Sequence, residues 1–90
     1  MDYVINLKDV KTRSELYDRL EEVLPLPEYF GRNLDALYDV LSENTEKTRI
    51  RFKDLEVREY EIERYLRRLR RMCGGLMEEN PNIEVVFDSE

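Results

Sequence analysis

Three short stretches with strand character, residues 3–7, 48–53 and 83–87, constrain this chain more than any other feature. Each is rich in β-branched or aromatic residues and is bounded by polar or turn residues, the mark of a β-strand. In the second, Ile50 and Phe52 point one way while Arg49, Arg51 and Lys53 point the other. In the third, Ile83, Val85 and Phe87 alternate in the same way against Glu84 and Asp88. Long helical segments separate the three, so consecutive strands are joined by crossovers and not by hairpins, which favours a parallel sheet. Parallel strands covered on both faces would be apolar on both faces. These keep one polar face, so the expected architecture is α/β in two layers, with the helices largely on one side of a three-stranded parallel sheet.

The segments between the strands carry helix signals. Thr12 and Glu15 form a T-x-x-E capping box. Leu16, Leu20, Val23 and Leu24 follow as an apolar stripe that Pro25 ends. Pro27 then fixes one backbone angle of a loop in which Gly31 can supply a positive φ. Asn33 is a good N-cap for a second helix, whose apolar face is Leu34, Leu37 and Leu41. Residues 42–47 read as a polar loop. After the second strand, Ile62, Leu66, Leu69, Met72, Cys73 and Leu76 recur at helical spacing, and Val57 and Tyr60 fit a shorter helix before them, giving about four helices. Gly74 and Gly75 fall inside the long helix at a cost of roughly 2 kcal/mol relative to alanine. They leave open a kink, a close packing point or an early helix end. Asn80-Pro81-Asn82 reads as a plain turn into the last strand.

Ninety residues without a repeat, linker or low-complexity tract lead to the expectation of a single domain over residues 1–90. The net charge of -6 argues against a general nucleic-acid binder and against an anionic membrane surface. Its single cysteine excludes an internal disulfide, which fits a reducing compartment. With no N-terminal signal pattern and no long apolar run, the expected location is cytoplasmic. There is no histidine, so the commonest general base and metal ligand is missing. Cys73 lies on an apolar stripe and reads as a buried structural thiol. No zinc-type ligand cluster is present. The expectation is a protein that is not an enzyme and holds no metal or cofactor.

The charge is uneven. Residues 25–46 carry a net -4 and residues 73–90 a net -5, whereas residues 47–72 carry +5. Arg64, Arg67, Arg68 and Arg71 share one helical face. With Glu63 four residues before Arg67 and no aromatic platform interleaved, this stripe reads as a solvated face and not as an RNA site. On the second helix, Asp35, Asp39 and Glu43 stand at successive i+4 steps, an arrangement that costs roughly 0.2–0.5 kcal/mol per pair. The helix N-terminus offsets Asp35 in part but not the other two. Such a ridge is either a solvated acidic face or a surface for a cationic partner. Tyr29 and Tyr38 flank it, and each fits an interface anchor or a tyrosine closing the core edge.

Residues 26–39, L-P-E-Y-F-G-R-N-L-D-A-L-Y-D, resemble the signature of the barstar family, intracellular inhibitors of secreted ribonucleases. The resemblance implies an α/β fold of three parallel strands and about four helices. It also implies that the loop and second helix plug a ribonuclease active site, the carboxylates standing in for RNA phosphate. Asp39 would be the central phosphate mimic, Asp35 the second anion and Tyr29 a contact on the enzyme's rim. Gly31 and Asn33 would set the loop, with Leu34 and Tyr38 as flanking contacts. The chain departs from the family pattern at four places. Tyr38 and Asn44 stand at or near tryptophan positions, Gly75 near an interface glutamate with Glu78 and Glu79 one turn on, and Arg32 adds a positive charge to an acidic loop. The expected partner is a basic ribonuclease or, alternatively, another basic protein, bound by a chain that is monomeric when free.

Overall fold

The computed structural model describes residues 1–55 and 59–88. In chain order the elements are β1 (Asp2–Asn6), α1 (Arg13–Val23), α2 (Leu34–Ser42), β2 (Thr48–Lys53), α3 (Tyr60–Glu79) and β3 (Ile83–Phe87). The strands form one sheet in the order β1-β2-β3, and both pairings are parallel. In register, Tyr3 lies beside Ile50 and Ile50 beside Val85, while Ile5 lies beside Phe52 and Phe52 beside Phe87. Because side chains alternate along a strand, this register gathers Ile5, Ile50, Phe52, Ile83 and Val85 on one buried face. The rings of Phe52 and Phe87 stack at 4.9 Å between centroids.

The other face is polar, as the alternation predicts. Arg49 sits between Asp2 and Glu84 in register and donates from Nε to Glu84 at 2.9 Å. Arg51 departs from the expectation of full exposure and is half-buried. It lies on the central strand with Val4 and Val86 as its neighbours in register, so its stem is covered from both sides.

Each helix buries one stripe against the apolar sheet face. α1 contributes Leu16, Tyr17 and Leu20, α2 contributes Leu37 and Leu41, and α3 contributes Ile62, Tyr65, Leu66, Leu69, Cys73 and Leu76. All join one core cluster with the inward residues of the strands. The starts of α1 and α2 are those their caps predict, whereas α3 follows Glu59 without a side-chain cap. At α1, the Glu15 amide donates to Thr12 Oγ1 at 3.1 Å, and Glu15 Oε1 accepts from the amides of Thr12 and Lys11.

Three helices are found among the described residues, where about four were expected. Tyr60 opens α3 instead of belonging to a separate helix, and Val57 lies outside the described residues. α3 runs through Gly74 and Gly75 to Glu79, so the glycines do not end it. Nor are they packing points, since a Cβ added at either would meet nothing within 4 Å. Asn80 is more than a turn residue. It is buried, and its Nδ2 donates to the carbonyls of Leu41, Ser42 and Asn44 at 3.3, 3.3 and 3.0 Å. Its Oδ1 accepts from the Asn82 amide at 3.0 Å. One side chain thus satisfies the carbonyl end of α2 and fixes the entry to β3.

Candidate functional site

The loop between α1 and α2 is held by its apolar residues. Leu24 and Phe30 are buried at either side of it, and Phe30 packs its ring 5.7 Å from that of Tyr17. The Phe30 amide closes a turn onto the Pro27 carbonyl at 3.0 Å. With Phe30 pointing inward, its neighbour Tyr29 is driven out and is 89% exposed.

Gly31 does not supply the positive φ that the sequence suggested for it; Arg32 adopts that conformation instead, at φ 53°. Gly31 serves a different need. A Cβ there would lie 3.3 Å from both Ala36 Cβ and Asn33 Nδ2, so the missing side chain lets the loop close onto the first turn of α2. A left-handed conformation costs a residue with a Cβ about 1–2 kcal/mol. Arg32 tolerates it because its guanidinium is anchored on α1. It donates to Asp18 at 2.9 Å, to the Ser14 carbonyl at 2.9 Å and to Glu21. The positive charge that seemed to sit among the acidic groups is therefore turned away and paired.

α2 starts where Asn33 predicts, with Asn33 Oδ1 accepting from the Ala36 amide at 2.7 Å. Leu37 and Leu41 are buried and Leu34 is half-buried against the core. This leaves Asp35, Asp39 and Glu43 exposed on the outer side. None of the three makes an ion pair with a described residue. Asp35 lies in the first helical turn, where the helix dipole favours it.

Tyr38 is half-buried, and its hydroxyl donates to Glu79 at the end of α3. This bond, together with desolvation and the charges of Glu79 and Asp39, holds the Tyr38 phenol above its usual pKa. The contact joins residues 41 positions apart and brings Glu79 to the acidic helix. Sequence spacing placed Glu79 near the site only through the family pattern. The structure also places Asn44 in its own loop, with Nδ2 on the Glu46 carbonyl and Oδ1 accepting from Thr48 Oγ1 at 3.4 Å.

Cys73 is buried, and desolvation pushes its thiol up to about 12. The basic face of α3 is less laced to acids than its spacing implied. Arg67 pairs with Glu63 at 2.6 Å, but Arg64 lies over the Tyr60 ring and Arg68 over the Tyr65 ring. Aromatic rings are thus interleaved with this stripe, against the expectation from sequence. Among the described residues, no helix is long and apolar enough to cross a membrane.

A two-layer α/β protein with a parallel β1-β2-β3 sheet, a capped acidic α2 and a rigid preceding loop is the barstar-like class of fold. The chain belongs to the barstar family: the family model described as "Barstar (barnase inhibitor)" matches residues 1–88. It is also similar to a Bacillus subtilis (strain 168) protein named "Putative ribonuclease inhibitor YrdF", with 44% identity over 39 residues. That alignment spans 43% of this chain and 43% of the relative's length.

Proposed function

We propose that this protein inhibits a basic microbial ribonuclease by covering its active site with α2 and the loop before it. Family membership supports a role of the ribonuclease-inhibitor kind. The observation that carries the finer reading is the unpaired state of Asp35 and Asp39, beside an Arg32 whose charge is spent on α1. A ribonuclease binds RNA phosphates with cations, and two free carboxylates on a rigid helix offer those cations the same charge. Asp39 acts as the central phosphate mimic and Asp35 as the second anion. Tyr29 packs on the enzyme's rim, Gly31 and Asn33 set the loop, and Leu34 and Tyr38 flank the contact. The acidic field also speeds encounter with a basic partner. The protein acts as a cytoplasmic monomer, without catalysis or a cofactor.

A second reading keeps the same surface but gives it another basic protein as partner. Tyr38 bonded to Glu79 and Asn44 bonded within its own loop favour it, because both stand where the family pattern has large interface aromatics.

The test is RNA cleavage by a panel of small basic microbial ribonucleases, with and without the protein. Stoichiometric inhibition of at least one enzyme, abolished by Asp39→Ala, is the expected result. If no enzyme is inhibited but a basic protein is retained and released by salt, the second reading holds. Inhibition that survives Asp39→Ala at full strength removes α2 from the mechanism.

A further inference from the structure

A second charged site lies where the start of α1 faces the first half of α3. A cleft of about 400 Å³ opens there, and its lining includes Lys11, Arg13, Glu61, Arg64, Tyr65 and Arg68. Four cations thus face one carboxylate. The charged group of none of the four makes a hydrogen bond or an ion pair with a described residue. The charges of the three arginines rest on rings instead. The Arg13 guanidinium lies 4.4 Å and that of Arg68 5.5 Å from the centre of the Tyr65 ring, while Arg64 lies 5.7 Å from that of Tyr60.

Tyr65 is a fixed platform, buried and bonded through its hydroxyl to that of Tyr17 at 2.6 Å. A ring face attracts a guanidinium's charge but takes up none of its N–H donors. Arg13 and Arg68 therefore converge on one immobile ring with their donors unspent, and their mutual repulsion is relieved only by an anion. The capping box already uses three of the amides around the start of α1, since Glu15 accepts from Lys11 and Thr12, and Thr12 from Glu15. An anion in this cleft meets chiefly side-chain cations.

We propose that this cleft binds a small polyphosphorylated ligand, its phosphates held by Lys11, Arg13, Arg64 and Arg68. The excess of cations over the single Glu61 calls for a ligand with at least two negative charges. Guanidinium forks match phosphate oxygens in pairs. Tyr60, 72% exposed beneath Arg64, offers an aromatic face to a base attached to such a phosphate. The net charge of -6 disfavours a long nucleic acid and favours a compact ligand.

The test is calorimetric titration of the whole protein at physiological salt with pyrophosphate, with ATP and with a short 5′-phosphorylated RNA. Saturable binding of pyrophosphate or ATP is expected. Tighter binding of ATP assigns the ligand to the nucleotides, and equal binding to inorganic polyphosphate; both outcomes support the site. Arg64→Gln plus Arg68→Gln should weaken binding about tenfold or more, as two charge-assisted contacts require. Arg64→Gln alone, at an exposed position, keeps the test decisive if the double variant melts early. Glu61→Gln should tighten binding. Arg71→Gln, which removes the same charge from the same helix outside the cleft, should change it less than about twofold. Absence of binding at millimolar pyrophosphate and ATP, binding of RNA alone, or an equal loss in Arg71→Gln overturns the proposal.

Discussion

The two halves of α3 handle charge in opposite ways. Towards its start, two cations rest on aromatic rings, Arg64 on Tyr60 and Arg68 on Tyr65. Beyond Arg70 and Arg71, the last two turns carry Glu78 and Glu79 as their only charges, and Glu79 reaches α2, whose own carboxylates are unpaired. The molecule could have used one set to neutralise the other. It keeps them on separate stretches of one helix, and of Arg64, Arg67 and Arg68 only Arg67 pairs with an acid, Glu63. A chain selected for stability alone would pair them, because like charges left together cost energy. The separation identifies the acidic end as the place to look for a cationic partner and the basic end as the place to look for an anion.

The largest effect expected from this comparison is on the partner complex. Asp39→Ala should cost the complex about 2–5 kcal/mol, mostly through faster dissociation, because it strands the partner's cations. The free protein should be unchanged or slightly more stable, since repulsion from Asp35 and Glu43 is relieved. Arg64→Gln at the other end should leave the same complex intact. Stopped-flow binding with urea melts reads both, and an equal loss from the two substitutions would abolish the distinction between the ends. The exposed Glu22 on α1, changed to alanine, serves as the neutral control.

Next in size is Asn80→Ala. It removes the Asn80 donor from the Leu41, Ser42 and Asn44 carbonyls, of which that of Leu41 keeps the Asn44 amide, so urea melts should show a loss of about 1–3 kcal/mol. An unchanged midpoint would mean that water replaces the amide at no cost. Gly75→Ala has the opposite sign. A Cβ there meets nothing, and alanine is the better helix former, so stability should rise by about 1 kcal/mol. If the acidic end includes this flank of α3, the partner complex should weaken in the same variant, separating function from fold.

The smallest effect is that of pH on the Tyr38–Glu79 contact. The fold raises the Tyr38 pKa, so the hydrogen bond's contribution is fully present below the ordinary phenol value of about 10 and is lost as pH rises through the raised value. Because burial raises the Cys73 thiol too, urea midpoints should hold level only to about pH 8, then fall as the unfolded state's thiol and, above about pH 10, its phenols lose their protons. Burial raises the Tyr17 phenol as well, so Tyr38→Phe should reduce the alkaline fall without removing it.

The features legible in the sequence are those encoded by close neighbours. The Thr12–Glu15 box, the Asn33 cap and the alternation of residues 48–53 each span a few positions, and the structure repeats them. The features that escaped join distant residues. Arg32 reads as an added charge in a loop until Asp18 and Glu21 are seen beside it. Gly31 reads as a turn residue because a glycine's two uses, positive φ and close approach, look alike in a sequence. Tyr38 and Glu79 carry no mutual signal across 41 positions. The aromatic seats of Arg13, Arg64 and Arg68 depend on α1 and α3 meeting at their N-terminal ends, which periodicity does not specify.

Asn80 has a consequence for the order in which the protein is made. The acidic helix leaves the ribosome early, complete with its cap, its three carboxylates and its loop. The amide that secures its far end is translated 38 residues after Ser42, and β3 follows it. A nascent chain short of residue 80 carries the whole acidic ridge, with its Asn33 cap and loop anchors, but lacks the amide at its far end. The far end of α2 is therefore secured late in synthesis, when a single asparagine emerges and reaches three carbonyls at once.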